Sequence, residues 1–130
     1  MFERIRRLFR RPSAAPPRIV ATAEGFRLEV EGRPAVEVAW KDVTRVAAYK
    51  RDLMATDEIM LAVESRGLPG RVLELSEAWP GFADLFQPLE EHLGVSPAWY
   101  VEIMVPAFEP SYRELYPDGP TPTSRSGGSP

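Results

Sequence analysis

His92 is the only histidine in the chain, and it stands beside Glu90 and Glu91. An imidazole next to carboxylates can serve as a general base or a metal ligand, but both roles need further groups converging on it. Adjacent glutamates diverge on a helix, so Glu90 and Glu91 do not make a carboxylate pair. No other cluster is spaced to supply the missing groups, and the chain has neither a Gly-rich phosphate loop nor a Gly-x-Ser-x-Gly elbow. The absence of cysteine excludes disulfides, thiolate metal sites and cysteine nucleophiles. The sequence therefore predicts no catalytic residue, no cofactor and no metal. His92 reads instead as a residue whose partial positive charge suits the C-terminus of a helix.

Binding chemistry is concentrated at the N-terminus, Met1-Phe2-Glu3-Arg4-Ile5-Arg6-Arg7-Leu8-Phe9-Arg10-Arg11. At helical spacing Phe2, Ile5, Leu8 and Phe9 span an arc of about 120°, and Arg4, Arg6, Arg7, Arg10 and Arg11 take the remainder. Such a segment suits an anionic membrane surface, each base contributing roughly 1 kcal/mol. Two other readings stay open. About 12 residues is marginal for an isolated helix, which leaves an arm with no specific target. The arm could also dock on the acidic remainder of its own chain or on another copy.

A second cluster, Lys50-Arg51-Asp52 with Asp57-Glu58, lies between two predicted strands. It reads as a solvated hairpin rim or as a recognition edge for a protein partner.

The net charge of −3 conceals a division along the chain. Residues 1–18 hold six arginines and one glutamate, a balance of +5, whereas the rest holds ten bases and eighteen acids, a balance of −8. An acidic body disfavours nucleic-acid phosphates as a partner and favours a basic protein. Arginine outnumbers lysine 14 to 2 and asparagine is absent, a bias associated with GC-rich bacterial genomes. No apolar run approaches the ~18 residues of a membrane span, and no hydrophobic region follows the basic start. The expectation is a cytoplasmic protein, peripheral at the inner face of the membrane if the arm meets lipid.

The elements that must carry these groups follow from periodicity. Residues 12–17 are a Pro-rich linker behind the arm, and the folded domain is expected over 18–116, with a disordered tail at 117–130. Phe26, Leu28 and Val30 alternate with charged residues; Val36, Val38 and Trp40 repeat the pattern, as do Ile59, Leu61 and Val63. With Ile19 to Ala23, a strand after the turn at Trp40 that finishes in alternating charges, and Arg71 to Leu75, this predicts about six strands. Trp40 reads as a core anchor, because it continues the Val36-Val38 face. Phe82, Leu85, Phe86, Leu89 and Leu93 then mark one stripe of an amphipathic helix, opened by Pro80 and stopped by Gly94. Pro88 predicts a break near Gln87. Ser96-Pro97 is a helix-start signal, but Val101 to Val105 is equally a candidate strand.

Strands in this order before an amphipathic helix resemble the pleckstrin-homology-like fold, an antiparallel, partly open barrel with a C-terminal helix. The segment from Trp40-Lys41-Asp42-Val43 through Lys50-Arg51-Asp52-Leu53 to Asp57-Glu58-Ile59 is similar to a group of small uncharacterised bacterial proteins. Pro80-Gly81-Phe82 and Val105-Pro106-Ala107-Phe108 extend that similarity over about residues 18–108. The resemblance implies an α+β class and no particular activity. Pleckstrin-homology domains that bind phosphoinositides cluster bases at the first hairpin, whereas Ala23-Glu24-Gly25-Phe26 here is short and acidic. The expected function is thus a non-catalytic binding module, held at a membrane surface by residues 2–11. The alternative is an immunity-type inhibitor whose acidic body covers a basic partner.

Overall fold

Alternation of apolar and charged residues gives each strand one face to bury, and a half-buried strand is stable only when sheet and helix partners cover that face. In the computed structural model, which describes residues 15–52, 56–105 and 111–118, seven strands solve this problem in two sheets. Strands β1 (Arg18–Ala21), β2 (Gly25–Glu29) and β3 (Val36–Ala39) form an antiparallel sheet in that order. Strands β4 (Val43–Asp52), β5 (Asp57–Ser65), β6 (Leu73–Ser76) and β7 (Ser111–Tyr116) form the second, ordered β6-β5-β4-β7. Helices α1 (Phe86–Leu93) and α2 (Ala98–Met104) lie in the chain between β6 and β7. The class is α+β, and the sheets do not close on each other.

Two expectations are corrected. Seven strands are present rather than about six, because Ser111–Tyr116 pairs with β4 along Val46 to Lys50. Its sequence hides it: it follows Pro106 and Pro110, and only Leu115 is buried. The helices are consequently not C-terminal, since β7 follows them.

The turn between the sheets is made by Trp40–Asp42 as a single 3-10 turn, so Trp40 leaves the strand it was expected to finish. It nevertheless is 3% exposed and packs on Phe26, ring centroids 5.5 Å apart. Ile59, Leu61 and Val63 are buried as alternation requires, facing a core that includes Val46, Ala48, Leu75 and Leu115.

The predicted helix is divided. Phe82–Leu85 forms a 3-10 turn and α1 starts at Phe86, so the break falls next to the expected Gln87. Pro88 thereby becomes the third residue of α1, where a backbone N–H has no intrahelical partner to lose. Gly94 ends α1 in the left-handed region at φ 71°, its N–H donating to the Glu90 carbonyl at 3.0 Å. Residues 98–104 are helix and not strand; the Ala98 N–H donates to Ser96 Oγ (3.3 Å), and Trp99 and Ile103 are buried. Phe82, Phe86, Trp99 and Tyr100 interlock, with ring centroids between 5.4 and 6.5 Å. Each such contact is worth about 0.5–1.5 kcal/mol beyond area burial.

A close backbone contact joins the first sheet to this helical layer. The Ile19 N–H donates to the Pro80 carbonyl (2.8 Å), and Gly81, at φ 92°, lets the backbones touch. A Cβ at Gly81 would lie 1.8 Å from the Ile19 carbonyl oxygen.

Candidate binding surfaces

The basic arm, Phe2, Arg4, Ile5, Arg6, Arg7, Phe9, Arg10 and Arg11, lies outside the described residues, as does the predicted tail beyond Asp118. What is described is the root of the arm. The Ala15 N–H donates to the Glu31 carboxylate (3.1 Å), and four residues later Ile19 meets Pro80. The chain thus enters the fold beside the first turn of the helical layer.

The charge cluster between β4 and β5 is not one surface. Antiparallel pairing sets Lys50 opposite Ile59, Arg51 opposite Glu58 and Asp52 opposite Asp57. Period two then sends Lys50 and Arg51 to opposite faces. Arg51 is exposed and holds Glu58 with its Nη2 at 2.6 Å. Lys50 is 4% exposed: its Nζ donates to the Met104 carbonyl (3.2 Å) and lies 3.8 Å from Asp57 Oδ2. A cation on the last carbonyl of α2 satisfies a group that helix geometry leaves open and opposes the negative end of the helix dipole. Lys50 therefore works inside the fold, and Arg51 with Glu58 is what remains of the rim. The side chain of Asp52 lies outside the described residues.

Sequence reading missed a larger polar array across β5, β4 and β7. Arg45 Nη1 donates to Glu64 (2.5 Å), while its Nε and Nη2 hold both oxygens of Glu114 at 3.0 and 2.6 Å. The Tyr112 hydroxyl joins Arg45 and Glu114. Nearby Tyr49 donates to Glu74, and Ser76 to Glu58. Such a fork needs three strands in register, and register is not written in any one of them. The array shifts proton affinities in both directions. Arg45 and the Tyr112 hydroxyl hold the Glu114 carboxyl below the usual range, and Ser76 and Arg51 do the same for Glu58. Burial and the Glu74 bond push the Tyr49 phenol up to about 12. At the edge of the helical layer Tyr100 donates to Glu77, which with burial raises it likewise to about 12. The other Glu77 oxygen accepts from the Ile59 N–H (2.9 Å), clamping α2 to β5.

The signs give a pH profile. Carboxyls lowered in the folded state contribute stability above their ordinary 4.5 that is lost as acid titrates the folded groups. Phenols raised from 10.0 to about 12 contribute stability that is present below pH 10 and lost through pH 12. Urea midpoints measured across pH should therefore be flat in the neutral range and fall below pH 4.5 and again above pH 10. A midpoint that held constant through pH 11 would contradict the Tyr49 and Tyr100 bonds.

The helical layer carries a surface of another kind. Val101, Met104 and Val105 stand at i, i+3 and i+4 and are 61, 43 and 64% exposed, an apolar strip beside the buried Trp99 and Ile103. From Leu73 to Val105 the chain has Glu74, Glu77, Asp84, Glu90, Glu91 and Glu102, and no lysine or arginine. The strip was legible as spacing, but its exposure depended on whether this segment was helix or strand.

His92 is exposed and its ring stacks on Trp40, centroids 5.9 Å apart and planes 16° from parallel. Among the described residues no group of three or more His, Cys, Asp or Glu side chains converges to hold a metal. A surface cleft of about 410 Å³ lies at the β2–β3 hairpin, lined by Thr22, Glu24, Arg27, Glu37 and Asp42 among others. Arg27 there is bonded to Glu29 (2.9 Å), and the other charges are acidic. Among the described residues no helix is long and apolar enough to cross a membrane. Comparison with protein-family models, curated proteins and solved structures finds no match to this chain.

Proposed function

We propose that this protein is a non-catalytic binding module that associates with an anionic membrane surface through residues 2–11. One observation carries the reading: five of the ten lysines and arginines among the described residues are paired with the body's own carboxylates, whereas residues 2–11 hold five arginines and no acid but Glu3. Arg27, Arg45, Lys50, Arg51 and Arg113 each sit within 4 Å of a Glu or Asp, and with the remainder of the chain at −8 the concentrated positive charge is that of the arm. The five arginines and four apolar residues there supply both components of interfacial binding. A pleckstrin-homology-like arrangement accords with consecutive antiparallel sheets leading into an amphipathic helix, while β7 after the helices departs from it. The run from Leu73 to Val105, with six carboxylates and no lysine or arginine, favours a second reading, in which the body covers a cationic surface of another protein.

Vesicle co-sedimentation separates the two. The full chain should pellet with vesicles containing phosphatidylserine and not with neutral ones, and replacing Arg6, Arg7 and Arg10 by Gln should release it. Three lost charges correspond to about 3 kcal/mol, more than a hundredfold in partitioning. Equal binding to both vesicles, or none, overturns the membrane reading in favour of the second.

A further inference from the structure

We infer that the exposed apolar strip of Val101 and Met104 on α2, with Val105 just past its end, is the docking site for the chain's own N-terminal arm. Three observations select this occupant. The strip is apolar and open, its three residues being 43–64% exposed. From Glu77 to Val105 the helical layer has five carboxylates, of which Glu102 is paired with Arg113 of β7, against His92 and no lysine or arginine, so its natural complement is apolar and cationic. Residues 2–11 have that composition, with Phe2, Ile5, Leu8 and Phe9 alternating with five arginines.

Connectivity gives the arm privileged access. Ile19 is hydrogen-bonded to Pro80 at the start of the helical layer, and Phe82 of that first turn touches Trp99 of α2, ring centroids 6.5 Å apart. The described root ends at Ala15, held on the Glu31 carboxylate, and residues 12–14, if extended, add about 10 Å to it. A short tether holds the arm at a millimolar effective concentration over the surface that it reaches. A weak contact is therefore occupied within one molecule when it would be negligible between molecules. Docked, the arm would bury the same Phe2, Ile5, Leu8 and Phe9 that a membrane would take, so the two states exclude each other. The inference shares with the proposed function only the amphipathic character of residues 2–11, and its test contains no lipid.

The cysteine-free chain allows one clean label. A nitroxide on Glu3→Cys of the full chain should erase amide NMR signals around Val101, Met104 and Val105 and spare those of Ala62 and Glu74 on the four-stranded sheet. Because the strip is exposed, Val101→Glu with Met104→Glu leaves the core intact; it should restore the lost signals. Raising sodium chloride from low to molar concentration should restore them partly. Broadening that is absent, that persists in the double variant, or that vanishes on dilution with unlabelled chains would overturn intramolecular docking. The last result would assign the contact to a second copy. Loss of vesicle binding with retained broadening would instead fail the membrane reading alone.

Discussion

Replacing Lys50 by alanine should lower the unfolding free energy by about 3 kcal/mol, the lower end of the range for removing one partner of a buried charge pair. The lower end applies because Asp57 keeps 19% of its side-chain exposure, whereas Lys50 keeps 1%. Two costs combine: the Asp57 carboxylate loses a cation 3.8 Å away, and the Met104 carbonyl loses a donor at 3.2 Å. Lys50→Met retains the apolar stem and should recover only a small part of the loss, which assigns the rest to charge and hydrogen bonding. Arg51→Ala is the internal comparison. Its ion pair with Glu58 lies on the exposed side of the strand, where water screens it, so the expected change is much smaller than at Lys50. Urea denaturation of the three variants decides the matter: equal losses at positions 50 and 51 would show that Lys50 is a rim residue after all.

Gly81→Ala should be comparably damaging for a reason unconnected with charge. The left-handed backbone at φ 92° costs an L-residue about 1–2 kcal/mol. The new methyl would also sit 1.8 Å from the Ile19 oxygen, forcing β1 away from the helical layer at a further cost of about 1–3 kcal/mol. Gly32 isolates the second contribution: it too has positive φ, 79°, but nothing lies within 4 Å of the point where its methyl group would stand. Gly32→Ala should therefore show the conformational cost alone. Thermal melts in which the two variants behave alike would deny that the Ile19–Gly81 contact helps to fasten the first sheet to the helical layer.

The elements that read clearly in the sequence are those whose burial is one-sided. Phe26 and Leu28, or Ile59, Leu61 and Val63, needed no knowledge of their partners, because alternation itself names the buried face. The stripe from Phe82 to Leu93 was equally clear, and Pro88 located the break in it. Where partners decide, the reading failed. β7 offers little apolar signal because it is an edge strand whose Tyr112 and Glu114 serve an arginine on β4. Lys50 was misplaced because a charged residue in an alternating run defaults to the solvent face. Only the position of α2, far ahead in the sequence, makes the inward face the right one for an ammonium group. The Arg45 fork joins positions 45, 64 and 114, and no local pattern connects them.

The concentration of carboxylates between Leu73 and Val105 also gives the body an electric dipole moment. From residue 15 to 52 there are seven bases and six acids, whereas from 56 to 105 there are two bases and nine acids. Near an anionic bilayer such a dipole exerts a torque that turns the helical layer away from the lipid within about a Debye length, roughly 8 Å at physiological salt. A molecule tethered there by its arm would be aligned as well as localised, with Val101, Met104 and Val105 presented outward. Orientation and unmasking of that strip would then be a single event.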